Sequence, residues 1–285
     1  MLGGRVTDSE CVRLLQWCLP RLGLQWRGFR KVRRIVRRRI ERRLTELDLP
    51  DTAAYRRYLE SNAEEWAFLD RACRIPVSRF YRDRAVFECL ERVVLPELSA
   101  AVVARGEAEL RCWSVGCAAG EEPYTLAILW RLRVAPRFPV VRMRIVATDV
   151  EPEMIAQAAT ACYPARILRD LPPDLAVAFT PSPEGLRLAD EYRRDVELRV
   201  QDVRVVAPED RFHLILCRYL VLTYFDEALQ RRLLALLIDK LEPGGALVVG
   251  ATERVPEGLG GLVAWASRLR IYRATAPAGA AATTT

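Results

Sequence analysis

Leu110-Arg111-Cys112-Trp113-Ser114-Val115-Gly116-Cys117-Ala118-Ala119-Gly120-Glu121-Glu122-Pro123-Tyr124-Thr125 is the stretch on which the fold turns. An apolar run from Leu110 to Val115 ends at Gly116, Gly120 follows, and Glu121-Glu122 open a helical pattern. Strand, tight glycine loop and helix N-terminus in that order form the usual cradle of a nucleotide-like cofactor. The two carboxylates choose among such cofactors. A pyrophosphate needs bare amides and positive charge at a helix start, and these acids would repel it. The ammonium and sulfonium of S-adenosylmethionine would be attracted instead. Gly116 and Gly120 also lack the G-x-G-x-x-G dinucleotide spacing. A plain strand–turn–helix with a capping glutamate is the other reading of the same residues.

Outward from this loop, Met143 to Asp149 repeats a strand pattern that ends in an acid. In doubly wound sheets an acid at the end of the second strand binds ribose hydroxyls, and Asp149 equally suits a cap for a helix starting near Pro152. Strand and helix patterns then alternate over 110–116, 121–133, 143–148, 152–160, 211–217, 226–241 and 245–250. That alternation predicts an α/β fold, a doubly wound Rossmann-like sheet, mostly parallel with helices on both faces. Between Tyr163 and Asp202 five prolines interrupt it, and Gly185–Leu188 and Val196–Val200 alternate as antiparallel strands do. A small antiparallel β insertion at about 163–202 is expected, either for docking or to cover a sheet edge.

The first 75 residues read as an all-α N-terminal domain. Helices are expected over Asp8–Leu19, Arg27–Leu47, Thr52–Leu59 and Glu64–Cys73, with Pro50 ending one and Asp51 or Thr52 capping the next. Ile75 to Asp83 forms a joint, followed by an amphipathic helix over Ala85–Leu95. A second domain then runs over 76–273, and 274–285 is expected to be a disordered tail. Charge is unevenly spread. Residues 1–79 carry 18 Arg or Lys against 10 Asp or Glu, whereas the remainder carries 26 against 27. Ten of the seventeen residues from Arg27 to Arg43 are basic, and Phe29, Val32, Ile35, Val36, Ile40 and Leu44 recur there at helical spacing. One helix with a buried stripe and a cationic face is expected, and an acidic partner with it: nucleic acid, anionic lipid or a Glu/Asp-rich protein.

No run approaches 18 apolar residues and the N-terminus lacks a signal-peptide pattern, so a cytoplasmic chain without membrane insertion is expected. Eight cysteines form no C-x-x-C pair and there is one histidine, which argues against a bound metal. Cys117 has no histidine near it in sequence to activate it as a nucleophile.

Several blocks occur together and in order. They are Ser78-Arg79-Phe80-Tyr81-Arg82-Asp83; Trp113-Ser114 through Gly116 and Gly120 to Glu121-Glu122-Pro123-Tyr124; Ala147-Thr148-Asp149; Cys217-Arg218 with Tyr224-Phe225-Asp226; and Leu241 with Pro243-Gly244-Gly245, then Glu253. In these, over about residues 8–273, the chain resembles the chemotaxis-receptor methyltransferase (CheR) family. The resemblance implies an S-adenosylmethionine-dependent O-methyltransferase acting on protein glutamate side chains, with S-adenosylhomocysteine as product. It implies that Gly116 and Gly120 shape the cofactor loop, Glu122 holds the methionyl ammonium and Asp149 the ribose. Ser78 and Arg82 would contact the cofactor and reaction centre, Asp202 and Val203 would border the adenine, and Arg218 and Tyr219 would line the pocket below the methyl. Arg82 and Tyr224 are implied as the groups orienting the substrate carboxylate. The basic helix 27–43 would face the acidic coiled coil of a chemoreceptor, and a monomer is expected. No N-P-P-Y-type element for flipped bases is present, which disfavours nucleic acid.

The chemistry agrees with the scarcity of histidine: glutamate, with a pKa of about 4.3, is already ionised near pH 7 and needs no general base. Departures from the family pattern are Tyr219 where Asn is usual after Cys-Arg, Pro76 for an Asn, His213 for an Asp, and Gly250-Ala251-Thr252-Glu253 for Gly-His-Ser-Glu. Tyr219 keeps two alternatives open: a methyltransferase redirected to another acceptor, and a non-catalytic signalling module that binds S-adenosylmethionine or S-adenosylhomocysteine.

Overall fold

In a computed structural model, which describes residues 6–275, the alternation seen in sequence becomes ten strands. They are β1 (Glu109–Val115), β2 (Arg142–Asp149), β3 (Cys162–Tyr163), β4 (Phe179–Ser182), β5 (Gly185–Leu188), β6 (Val196–Val200), β7 (Phe212–Cys217), β8 (Leu241–Val249), β9 (Leu262–Ala266) and β10 (Ile271–Ala274). Seven form one sheet in the order β6-β2-β1-β7-β8-β10-β9. The first five run parallel, and β10 is antiparallel to both β8 and β9. β1 and β7 are buried along nearly their whole length, as central parallel strands covered on both faces must be. From β1 the chain winds one way through β2 to β6, then returns to β7 and winds the other way. The crevice at the carboxyl ends of β1 and β7 is therefore the topological switch point, where doubly wound sheets bind ligands.

By backbone proximity the described chain divides into two units: residues up to Ile75 with Val221–Gln230, and Pro76–Leu220 with Arg231 onward. In the first, Thr7 and Glu10 form a reciprocal capping box on helix Asp8–Cys18. The Asp51 carboxylate accepts the Ala54 amide at 2.7 Å, which starts helix Thr52–Ser61. The single helix expected over 27–47 is two: a turn at Trp26–Phe29, then Arg33–Glu46. Contacts within the same unit cause the break. The Gln25 amide donates to Tyr224 O at 2.8 Å, and its side chain donates to Leu222 O and Thr223 O at 3.2 Å each. A Cβ on Gly28 would lie 2.2 Å from Thr223 O, so only glycine admits this approach.

Further expectations are corrected from Pro76 onward. Val196–Val200 does not belong to the antiparallel insertion, which comprises β3, β5 and β4 alone. It is the parallel edge of the large sheet, paired with Ile145–Asp149. An edge strand half in solvent shows the same alternation as an antiparallel one, so period two did not separate them. The helix expected to stop at Leu95 continues to Ala104, because a π-turn at Leu90–Val94 accommodates Pro96. Helix 226–241 is Glu227–Asp239, and β8 starts at Leu241 rather than 245. Pro243-Gly244-Gly245 lies in a bulge opposite Phe212 to Leu214, where proline and glycine are tolerated. Ala274 belongs to β10 and Thr275 N–H bonds Gly261 O at 2.9 Å, so the ordered chain passes 273; residues 276–285 of the expected tail lie outside the described residues.

His213 sits at that bulge, 2% exposed, and its Nδ1 accepts the Arg111 amide at 3.0 Å. Burial, helped by Arg111 and Arg105, pushes its pKa down to about 4. Unfolded histidine takes its proton at about 6.5. The stabilisation is thus complete above that pH and is withdrawn as pH falls towards 4, by an amount on the order of 3 kcal/mol. Urea unfolding of wild type between pH 7 and 4 should show a steeper loss than His213→Asn, by about one proton. Parallel profiles would show that His213 does not couple to folding.

Candidate active site at the carboxyl ends of β1 and β7

The loop after β1 hangs on the end of β2. Gly116 N–H and Cys117 N–H both donate to Thr148 O, at 2.8 and 3.0 Å, and the Ala118 amide donates to Asp149 Oδ2 at 2.9 Å. Gly120 caps helix Glu121–Leu129 at φ 90°, and a Cβ there would lie 2.7 Å from Tyr124 Cε2 and 3.0 Å from the Ala158 Cβ. Gly116, at φ 74°, would bring a Cβ within 2.8 Å of Leu220. Gly120→Ala is accordingly expected to lose about 1–3 kcal/mol of stability, since it adds both left-handed strain and overpacking. Denaturant unfolding checks the loss, and calorimetry should show weaker cofactor binding in the same variant.

The acids around this loop occupy different environments. Glu122 Oε1 accepts the Ser114 hydroxyl at 2.7 Å and Oε2 accepts Arg218 Nη1 at 3.0 Å. Glu121 is buried at 4% exposure. Burial raises its pKa against the pull of neighbouring backbone amides and the Ser78 hydroxyl, and its Oε2 has no hydrogen-bond partner. Asp149 accepts the Glu151 amide at 3.0 Å as well as that of Ala118, so it braces both loops. The helix cap itself is Glu151, without a side-chain bond.

Opposite Glu122 stands Arg218, at the end of β7, with a side chain only 2% exposed. Its Nη2 donates to Asp83 Oδ2 at 2.8 Å and to Arg82 O at 2.6 Å. The Tyr219 hydroxyl donates to the same Asp83 oxygen at 2.6 Å, and Arg82 lies over the Tyr219 ring, 3.8 Å from its centroid. Burial pushes the Asp83 carboxyl up, but Tyr219 and Arg218 outweigh it and hold it below the usual range. Among seven described non-glycine residues at positive φ, four belong to these loops: Tyr81, Asp83, Ala118 and Tyr219. Backbone strain gathered in this way is a mark of functional sites.

Of the residues singled out in sequence, Ser78, Arg82, Gly116, Gly120, Glu122, Asp149, Arg218 and Tyr219 belong to this network. Asp202 binds Arg204 through both oxygens and Val203 is buried; they follow Gln201, whose amide donates to Asp149 O at 2.8 Å. Tyr224 lies in the helical unit, its ring 5.2 Å from that of Phe29. The Cys117 thiol is pushed well up by burial, which leaves it unreactive. Two acids were missed, Asp83 and Glu253, whose Oε2 accepts Tyr219 N–H at 2.9 Å and Gly250 N–H at 2.6 Å. Each stands inside a quoted block, but only its partners reveal its use. Among the described residues no group of three or more His, Cys, Asp or Glu converges as metal ligands would, and no helix is long and apolar enough to cross a membrane.

A family model described as the CheR methyltransferase, SAM-binding domain matches residues 76–263. The chain belongs to the CheR family. Curated relatives of this CheR domain include an uncharacterised 104.1 kDa protein of Rhodobacter capsulatus, 34% identical over 86% of the chain and 26% of that protein. A chemotaxis protein methyltransferase of Listeria innocua is 33% identical over 64% of the chain and 66% of its own length. That of Escherichia coli K12 is 29% identical over 87% and 85%. The chain thus spans about a quarter of the first and just under two thirds of the second. Among solved structures, the N-methyltransferase NodS of Bradyrhizobium japonicum with S-adenosylhomocysteine is 19% identical at TM-score 0.34, over 59% of this chain and 63% of that one.

Residues 76–263 are thus an S-adenosylmethionine-binding domain, and the donor set fits that cofactor. Glu122 retains free lone pairs on both oxygens, Asp149 stands at the end of β2, and Gly120 admits no side chain beside the loop.

Proposed function

We propose that the chain transfers a methyl group from S-adenosylmethionine to glutamate side-chain carboxylates of a chemoreceptor-like protein. The observation that carries this reading is the Glu122–Arg218–Asp83 cluster at the switch point. It joins the block that would hold the cofactor to the block that carries Arg82. When bound, S-adenosylmethionine supplies an electrophilic methyl group on a sulfonium and is converted to S-adenosylhomocysteine.

Glu122 holds the methionyl ammonium, Asp149 the ribose hydroxyls, Asp202 and Val203 the adenine, and Gly116 and Gly120 keep the loop close. Arg82 is assigned the orienting of the acceptor carboxylate, its two guanidinium donors matching the lone pairs, and Tyr224 is kept as the second candidate for that role. No group removes a proton, because the acceptor is ionised beforehand.

The partner is an acidic, helical protein. Of the ten cations in 27–43, Arg33, Arg37, Arg39, Arg42 and Arg43 are engaged by Asp8, Glu41, backbone carbonyls, Glu46 and Glu65. Arg27, Arg30, Lys31, Arg34 and Arg38 are exposed and carry no ion pair among the described residues, which leaves them for the partner. We place the activity in the cytoplasm and in a monomer, without a metal.

Labelled cofactor and a chemoreceptor substrate, followed by mild alkali, test the reading. Volatile methanol identifies a carboxyl methyl ester; alkali-stable label would replace the reading with another acceptor. Cofactor binding without label transfer would favour a non-catalytic module, the alternative that Tyr219 in place of Asn keeps in view.

A further inference from the structure

Tyr219 is held more firmly than lining a pocket requires. Its backbone is left-handed, at φ 57°, a conformation that asparagine enters readily and a bulky residue does not. Glu253 fixes it there by accepting its N–H at 2.9 Å. Gly250 clears the space its ring occupies, since a Cβ at Gly250 would lie 2.7 Å from the ring. The hydroxyl donates to Asp83. What the ring then carries is Arg82, whose side chain, among the described residues, donates one hydrogen bond, to Val77 O at 2.9 Å. An arginine with one anchor has several rotatable bonds left to settle, and an aromatic face 3.8 Å away settles them while leaving in-plane N–H donors for a carboxylate.

We infer that Tyr219 is a positioning residue for Arg82: its ring sets the guanidinium fork that receives the acceptor carboxylate, and its hydroxyl ties that fork through Asp83 to the Arg218–Glu122 cluster. The inference rests on methyl transfer to a carboxylate as proposed above.

Tyr219→Leu, which removes both the ring under Arg82 and the hydroxyl on Asp83, should lower kcat about tenfold while the cofactor Kd by calorimetry stays within about threefold. Tyr219→Phe keeps the ring and should recover most of the loss. Because the effect passes through Arg82, adding Tyr219→Leu to Arg82→Ala should lower kcat little further. Losses that multiply, or a leucine variant defective chiefly in cofactor binding, would overturn the inference. Crystal structures of wild type and Tyr219→Leu give a readout independent of turnover: the Arg82 guanidinium should leave its wild-type position, and finding it unmoved sinks the idea. If wild type releases no methanol from any glutamate acceptor, the functional reading fails and the position of Arg82 alone decides this one. Tyr219→Met serves the same comparisons if the leucine variant does not fold.

Discussion

Arg218→Met is expected to cost the protein about 3–5 kcal/mol and to remove measurable cofactor binding, because it breaks a buried ion-pair cluster from its centre. The Arg218 side chain is 2% exposed, and its two terminal nitrogens serve Glu122, Asp83 and the Arg82 carbonyl. Methionine fills much of the volume but leaves two carboxylates and a carbonyl without their shared donor. Like charges then face each other, and Glu122 loses its Arg218 partner, which on the proposed function orients it for the cofactor ammonium. The pH dependence should also weaken. In wild type Asp83 is held below its ordinary pKa, so its stabilisation is present above the carboxylate range and is lost as pH falls through the folded pKa. Without Arg218, the Tyr219 hydroxyl and the Arg82 charge alone oppose burial, so the depression of that carboxyl shrinks and less stability is lost on acidification. Urea unfolding at pH 7 and 5 checks both points. A methionine variant within about 1 kcal/mol of wild type at pH 7 would show that the cluster does not hold the site together.

Arg82→Ala is expected to do the opposite: to leave the fold nearly unchanged and to reduce methyl transfer by about 10²-fold or more, the usual loss for mispositioned reactants. Arg82 is partly exposed, and it gives up one hydrogen bond to Val77 O and the stack on Tyr219. Such a loss is small for stability, below about 1 kcal/mol. For the reaction it is large, because a carboxylate gripped through two donors loses its orientation with them, and the neighbouring Arg218 is already engaged by Glu122 and Asp83. Lysine should not rescue the variant, since an ammonium lacks the planar fork. The ratio of kcat/KM to that of wild type, measured by methanol release, checks the prediction. A rate near that of wild type would remove Arg82 from the mechanism.

The cationic helix shows where reading along the chain reached its limit. Ten basic residues in a row of seventeen promised one continuous face. Five of them are instead used by acids and carbonyls of their own unit, among them Glu65, which takes Arg43 at 2.7 Å, and the Ala72 and Arg74 carbonyls, which take Arg39. Charge is countable in a sequence, but whether it is free depends on which distant residues fold against it.

By itself the sequence determined the strand–glycine loop–helix, the acid at the end of β2, the alternation that builds a doubly wound sheet, and most of the residues that gather at its switch point. These are local quantities, set by side-chain period, glycine torsion and the chemistry of consecutive residues. Only the tertiary structure decided that Val196–Val200 is an edge of the large sheet, because period two reports which face is buried and not which neighbour buries it. Only the tertiary structure, too, joined Arg218 to Glu122 across 96 residues and Tyr219 to Asp83 across 136. Pairings that distant leave no spacing to read, since they follow from where the strands end in space.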